Sequence, residues 1–448
     1  MRLTFIIVIS LLLAVFPGYA GNDLPGWSLK SIGDIDNHPS LVHFSWETQR
    51  PPYTNLDKIA LHRLVQVENI VLNKKIIFML PGTWNAGGWS RITDPAVNTM
   101  IFLANNGFDV YTLDYRSKNI PDMDNDQFDQ YGIDISVTTT WTYGVFRDDI
   151  KACVDLIKKL TNGHKIFMSG FSRGTNLLYY YASKYPDDLR GMVVLDYFIK
   201  DNPPIGTPLD EATYRMAIDL FKEKLLVDPV SADAVPWLIP PAFYLDDVTY
   251  SNWKLAGCLP FARSMVGGPL PADYEEISDY VADSAYHIWD VFGLGEGALS
   301  NYDDDQIDRE VLITVLNEFN RYYPNIQGLE DTQLQAWDDV PYFDYDDNDI
   351  YLPAIAFVTS YIGCPYGSCQ FDILPNMTRS SDVTVKWLTG YGHIDVLFGK
   401  NSLTDVKQPL LQWLNDHLPA GSASAPVSIR DIEQAAKSIV LQLVSRHL

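Results

Sequence analysis

The sequence is short of cysteine, of positive charge and of long apolar runs. Its four cysteines, Cys153, Cys258, Cys364 and Cys369, are spread over 448 residues, too few and too scattered for a disulfide-dense small domain. Their spacing offers no pair of closely spaced ligand clusters, so no metal site is expected, and no cofactor is expected either. Lys and Arg total 33 against 57 Asp and Glu, a formal net charge of −24. That field argues against nucleic acid and anionic lipid surfaces as partners, because both are bound by cations that neutralise phosphates. The longest largely apolar run, residues 3–16, is broken by Thr4 and Ser10 and is shorter than the roughly 20 residues that span a bilayer. No stable membrane span is expected, and no internal repeat is evident.

That single run follows Met1-Arg2 and leads into Gly18-Tyr19-Ala20, the pattern of a secretory signal peptide cut after about Ala20. The expected mature chain is 21–448, secreted or periplasmic. An exported chain meets an oxidising compartment, which turns the cysteines into disulfide candidates. Cys364 and Cys369 enclose Pro365-Tyr366-Gly367-Ser368, a turn that favours a local bridge and leaves Cys153 to pair with Cys258. Buried free thiols are the alternative, since Cys153 also falls in an apolar helical pattern.

The chemistry-bearing stretch is Gly170-Phe171-Ser172-Arg173-Gly174. It follows an apolar run, 165–169, that reads as a buried strand, and it precedes 175–184, rich in Leu, Tyr and Ala, which reads as a helix. In a G-x-S-x-G corner between strand and helix the serine is lifted outward, and the glycines leave room where a Cβ would collide. Late in the chain, the alternating run 383–388 enters Thr389-Gly390-Tyr391-Gly392-His393-Ile394-Asp395. Of eight histidines, His393 alone sits on a glycine-flanked turn beyond a predicted strand and downstream of the serine. Neutral imidazole can take a hydroxyl proton near pH 7 and return it to a leaving group.

Together these stretches resemble the α/β-hydrolase family, in the order serine then histidine, and the resemblance spans most of the mature chain. Gly392-His393-Ile394-Asp395 is also similar to the H-x-D turn of acid lipases. The resemblance implies a doubly wound, mostly parallel sheet with a largely helical cap inserted before the last strands. It also implies an oxyanion hole made by the backbone N–H of Arg173 and a second N–H from the loop after the third family strand. Residues 75–80 read as that strand and open into Pro81-Gly82-Thr83-Trp84-Asn85-Ala86-Gly87-Gly88, so Thr83 or Trp84 would be the second donor. The acid departs from the common pattern, because the loop 360–370 behind the strand 353–359 holds no carboxylate. Asp196, after the strand-like run 191–195, matches the position used by pancreatic-type lipases. Asp372 is the alternative acid, with Asp382 or water behind it.

Along the chain, 59–71, 75–80 and 108–114 read as strands and 145–160 as a helix, alternating through the elbow in the manner of a parallel sheet. The alternation stops at about residue 200 and resumes at 353. The expected organisation is a signal peptide (1–20), a core (21–199), an inserted cap (200–349), the rest of the core (350–418), and a linker with a C-terminal amphipathic helix (419–448). Helical stretches are expected at 213–226, 310–323 and 406–414. Aromatic and apolar runs in the cap, 237–244 and 288–295, suit either an acyl pocket or the cap's own packing. Acidic clusters at 122–129, 303–308 and 344–349 lack the glycine and glutamate of a calcium loop and read as solvated. Asn376-Met377-Thr378 is a glycosylation sequon. The resulting expectation is a secreted serine hydrolase of carboxylic esters with a small-molecule or lipid-like substrate. A peptidase on the same fold, or a binding protein that keeps the fold, are the alternatives.

Overall fold

The computed structural model describes residues 26–70, 74–82, 87, 92–121, 128, 130–134, 136–197, 210–216, 350–359, 378–389, 391 and 395–419, with isolated positions between 311 and 346. The described strands are β1 (Trp27–Ile35), β2 (His38–Gln49), β3 (Lys58–Gln66), β4 (Ile76–Leu80), β5 (Asp109–Asp114), β6 (Ile166–Phe171), β7 (Leu189–Leu195), β8 (Asp339–Val340), β9 (Tyr345–Asp346), β10 (Ala354–Thr359) and β11 (Val383–Leu388). The helices are α1 (Thr99–Asn105), α2 (Tyr143–Leu160), α3 (Arg173–Lys184), α4 (Asp395–Phe398) and α5 (Gln408–Asp416). Among the described residues, nine strands form one sheet in the order β1-β2-β3-β5-β4-β6-β7-β10-β11, and β8 and β9 form a separate short ribbon.

The run from β5 to β11 is parallel, and β1, β2 and β3 extend it by antiparallel pairing. Every residue of β4, β6 and β10 is buried, as continuous apolar strands covered on both faces require. In β4 the side chains alternate between layers. Ile76, Phe78 and Leu80 join the core that holds the α2 residues Phe146, Ile150, Val154 and Ile157. Ile77 and Met79 join the opposite core, with Ile101 and Leu103 of α1 and Leu410 and Leu414 of α5.

The parallel strands lie where the sequence predicts them; β3 stops earlier than expected. The expected strand 59–71 ends at Gln66 and passes into a 3₁₀ turn, Val67–Asn69. The closing helix comes later than its expected 406–414, because a π-helical turn, Leu403–Lys407, precedes α5. In the expected cap, residues 211–216 are helical. The signal peptide, the linker, the C-terminal helix and most of the cap lie outside the described residues.

The expected pairing of Cys153 with Cys258 is not formed. Cys153 is a free, fully buried thiol, because it falls on the apolar stripe of α2 with Ile150, Val154 and Ile157, which turns into the core. Burial pushes its pKa well above the usual thiol range. Cys258, Cys364 and Cys369 lie outside the described residues.

Two buried ionic knots tie the antiparallel edge to the parallel core. Arg63 on β3 grips Asp109 on β5 through Nε and Nη2, each 2.7 Å from a carboxylate oxygen, and the Tyr111 hydroxyl donates to the same carboxylate at 3.2 Å. Burial pushes the Asp109 carboxyl upward and Arg63 opposes that shift. The second knot sets Arg116 between Asp149 of α2 and Asp57, at 2.5 and 2.6 Å, with the Trp141 indole N–H donating to Asp57 at 2.9 Å.

Strand order also marks a place for a ligand. β4 has β5 on one side and β6 on the other, so the chain leaves β4 in one direction and returns by α2 to its opposite flank. Connections diverge above the carboxyl ends of β4 and β6, and such a switch point is where open α/β sheets hold ligands.

Two outcomes are expected. Asp109→Ala strands a buried guanidinium and should lower the unfolding free energy by about 3–5 kcal/mol in urea titrations. Cys153 should resist a thiol reagent in the native protein and react only on unfolding, as measured by mass spectrometry of the labelled peptide.

Candidate active site

Ser172 occupies the corner between β6 and α3, at the carboxyl end of the strand beside the switch point. Its backbone is at φ 52° and ψ −130°, a conformation that costs an L-residue roughly 1–3 kcal/mol. Neighbouring contacts leave the corner little choice. A Cβ on Gly170 would run into the backbone of Gly174 and Thr175. One on Gly174 would overlap the Leu80 carbonyl and lie 2.7 Å from the Pro81 oxygen. The turn is pinned by Ser172 N–H to Leu195 O at 3.0 Å, Thr175 N–H to Ser172 O at 2.8 Å and Thr175 Oγ1 to Gly170 O at 2.9 Å. Ser172 remains partly exposed while Phe171 and Arg173 on either side are buried.

Arg173 is the first residue of α3, so its backbone N–H lies at the positive end of the helix dipole. Its side chain leaves the site: Nε donates to the Tyr143 hydroxyl at 3.1 Å, and the guanidinium lies over the Tyr143 ring. Only the backbone of Arg173 is available to the expected role.

Asp196 follows β7 at the same edge of the sheet as Ser172. It is fully buried, with φ 49°. Its N–H donates to Phe357 O at 2.8 Å, and its Oδ1 accepts from the Thr359 N–H at 2.7 Å. The carboxylate is thereby locked across the ends of β7 and β10, and β11 runs parallel beside β10 with Leu388 opposite Thr359. His393, five residues beyond, lies outside the described residues, as do Thr83, Trp84 and Asp372. The described residues on either side of 392–394 are held in the core. Tyr391 is buried and its hydroxyl donates to Asp405 Oδ2 at 2.8 Å, and Asp395 is buried at the start of α4.

The segment after β4 lies against the elbow. A Cβ on Gly82 would sit 3.2 Å from Ser172 Cβ. The Tyr115 hydroxyl donates to Pro81 O at 3.1 Å, and the Gly87 N–H donates to Asp114 Oδ1 at 2.5 Å. These two tethers come from consecutive residues at the end of β5. The sequence marks Asp114 only as the end of a strand-like run, and nothing local in it announces the partner 27 positions upstream. A small cavity beside the elbow, lined by Met79, Leu80, Pro81, Met100, Phe171 and Leu195, has a volume of about 10 Å³. That is room for about one water molecule and too little for an acyl chain.

The fold matches known proteins. Residues 80–228 match the family described as alpha/beta hydrolase fold. A crystal structure of a "putative lipase" from Sulfolobus solfataricus is similar at 25% identity and TM-score 0.61, covering 88% of this chain and 99% of that one. An epoxide hydrolase from Vigna radiata aligns at 11% identity and TM-score 0.39, over 88% of this chain and 100% of that one. A thermophilic esterase from Thermogutta terrifontis aligns at 13% identity and TM-score 0.42, over 81% and 95%. No curated protein matches the chain at significance. The chain has the α/β-hydrolase fold.

One buried group was not foreseen from the sequence. Lys407, in the π-helical turn before α5, is fully buried. Its Nζ donates to Leu397 O at 3.0 Å and to Ser402 Oγ, bracing the end of α4. Burial lowers its pKa to about 7, with Asp94 pulling the other way. Between pH 7 and the ordinary lysine value near 10.4, the unfolded chain therefore holds a proton that the folded chain does not, and stability rises with pH across that window. Lys407→Met lacks this slope. In urea titrations the wild type should gain stability relative to the variant as pH is raised from about 7 to about 10.

Proposed function

We propose that this chain is a secreted serine hydrolase of carboxylic esters. The observation that carries the reading is Ser172 itself, partly exposed in a left-handed corner at the switch point, where glycines are the residues that fit on either side. Ser172 Oγ adds to the ester carbonyl carbon while His393 takes its proton. Negative charge on the carbonyl oxygen is held by the Arg173 N–H and by that of Thr83 or Trp84, each such donor typically worth about 3 kcal/mol. The intermediate collapses by breaking the bond to the alcohol, which leaves with the proton from His393. A water that gives its proton to His393 then attacks the acyl-enzyme, the bond to Ser172 Oγ breaks, and Ser172 recovers its proton.

Asp196 is the acid we assign to hold the imidazole tautomer. Its carboxylate is buried and oriented by the Thr359 N–H at the strand end next to β11, which supports it over Asp372. The substrate class is a lipid-like or bulky acyl ester. In this reading the acyl space comes from the cap, 200–349, with the aromatic runs 237–244 and 288–295. In the same reading the cap interrupts a core of 21–199 and 350–418, and the signal peptide directs export and is cut after about Ala20.

Purified mature protein should hydrolyse p-nitrophenyl esters and label with a fluorophosphonate probe, and Ser172→Ala should do neither. Asp196→Asn should lower kcat by about 10³–10⁴-fold, with Asp372→Asn near wild type. Unlabelled Ser172 together with equal rates for wild type and Ser172→Ala would overturn the proposal.

A further inference from the structure

Helix α2 has no acidic residue of its own in its first turn, although a carboxylate there meets unpaired N–H groups and the positive end of the helix dipole. The fold brings one from 187 positions further along the chain. Glu330 is buried, and its Oε2 accepts the N–H of Tyr143, the first residue of α2, at 2.6 Å. Its Oε1 accepts the Tyr214 hydroxyl at 2.7 Å. Tyr214 is placed in turn by Asp210, whose carbonyl accepts the Tyr214 N–H at 2.9 Å and whose Oδ1 accepts the Thr213 N–H at 2.8 Å. Three residues before Glu330, Gln327 Nε2 donates to Trp141 O at 2.8 Å. Tyr214 from one part of the stretch read as the cap, and Gln327 and Glu330 from another, therefore meet at the start of α2.

Tyr143 carries that contact to the serine corner. Its hydroxyl accepts from Arg173 Nε at 3.1 Å, and the guanidinium lies 5.4 Å from the centre of its ring. Tyr143 also meets Tyr180 of α3 edge to face, with 5.8 Å between centroids, and Tyr180 stacks on Tyr345 at 6.2 Å. Tyr143 is thus fixed at its backbone by Glu330 and at its side chain by α3.

Arg173 gives this contact its consequence. A guanidinium stays charged at any working pH, and this one is buried, so it is held to the acceptor and the aromatic face that Tyr143 offers. The residue that carries it directly follows Ser172. With Gly174 pressed on the carbonyls of Leu80 and Pro81, the first turn of α3 is held by β4 through its backbone and by Tyr143 through the Arg173 side chain.

We propose that Glu330 and Tyr143 are positioning residues for the nucleophile corner: Glu330 fixes the start of α2, and Tyr143 passes that constraint to Arg173, whose N–H serves the oxyanion. For its catalytic part this rests on the ester-hydrolase reading. The link itself rests on the contacts among Tyr214, Glu330, Tyr143 and Arg173. A shift of about 1 Å in an oxyanion donor costs about 10- to 100-fold in rate, with little effect on ground-state binding.

The test uses the full mature chain as wild type, Glu330→Ala, Glu330→Gln, Tyr143→Phe and the double variant Glu330→Ala/Tyr143→Phe. Tyr143→Phe removes the acceptor for Arg173 Nε and leaves the Glu330 contact, which is made to backbone. Hydrogen exchange read by mass spectrometry should speed up in the peptide 171–177 in both Tyr143→Phe and Glu330→Ala. In the peptide 141–147 it should speed up in Glu330→Ala alone, with β10 and α5 unchanged. On p-nitrophenyl esters, kcat should fall about 10- to 100-fold in Tyr143→Phe and in Glu330→Ala, with KM within about twofold. The double variant should fall no further than the worse single, because both act through one path. Glu330→Gln should recover most of the loss seen in Glu330→Ala, since an amide oxygen still accepts the Tyr143 N–H and the amide N–H can donate to the Tyr214 phenol. Unchanged exchange at 171–177 in Tyr143→Phe overturns the link. Additive losses in the double variant overturn it too, as does a rise in exchange throughout the chain in Glu330→Ala that Glu330→Gln does not reverse, which marks a merely structural role. If wild type hydrolyses no ester and Ser172 stays unlabelled, the ester-hydrolase reading fails, while exchange at 171–177 still judges the link.

Discussion

The close approach of Gly174 to the carbonyls of Leu80 and Pro81 is the constraint on which the rest of the site depends. With no side chain at that position, α3 starts directly on the end of β4, and the residue before it is forced into a left-handed turn. Ser172 is then both strained and partly exposed, with the helix dipole behind it. The same contact brings the segment leaving β4 against the serine, so that one backbone approach joins the nucleophile and the loop after β4. Strain of this kind persists only where surrounding structure over-determines it. Here the surroundings are strands β4, β6 and β10, buried on both faces.

Around that contact the molecule separates its roles by layer. The two cores on either side of the sheet supply rigidity. Two buried ion pairs, Arg63 with Asp109 and Arg116 with Asp149, fasten the antiparallel strands and α2 to the parallel strands. The polar groups at the carboxyl edge do different work. Asp196 is held by the Thr359 N–H, and Asp114 and Tyr115 hold the two ends of the loop after β4. Lys407, buried against the Leu397 carbonyl and the Ser402 hydroxyl, braces α4.

Much of this was legible in advance. Residues 383–388 alternate, and β11 occupies those positions. The glycine spacing of 170–174 reported a corner in which a Cβ cannot fit, and the coordinates supply the colliding atoms. The N-terminal ribbon escaped notice, because β1 and β2 carry Ser, His, Lys and Glu on their more exposed positions and lack the apolar continuity of buried strands. Helix α1, at Thr99–Asn105, escaped for a related reason: it is short and almost wholly buried, and so has no polar face to give it a helical period. Cys153 misled in the opposite sense. An exported chain favours disulfides, but its place on the apolar stripe of α2 decided the matter for a free thiol.

Local chemistry in the sequence determined the alternation of strand and helix, the glycine-flanked serine and its order relative to the histidine turn, since each depends on residues a few positions apart. Tertiary structure alone decided that Asp196 bridges the ends of β7 and β10, that Cys153 is sealed in the core, and that His43, His62, Asp114 and Gly87 meet. Those partners lie tens of residues apart on β2, β3, β5 and the loop after β4. Their meeting is set by strand order and register, quantities that hydrophobic spacing along the chain does not encode.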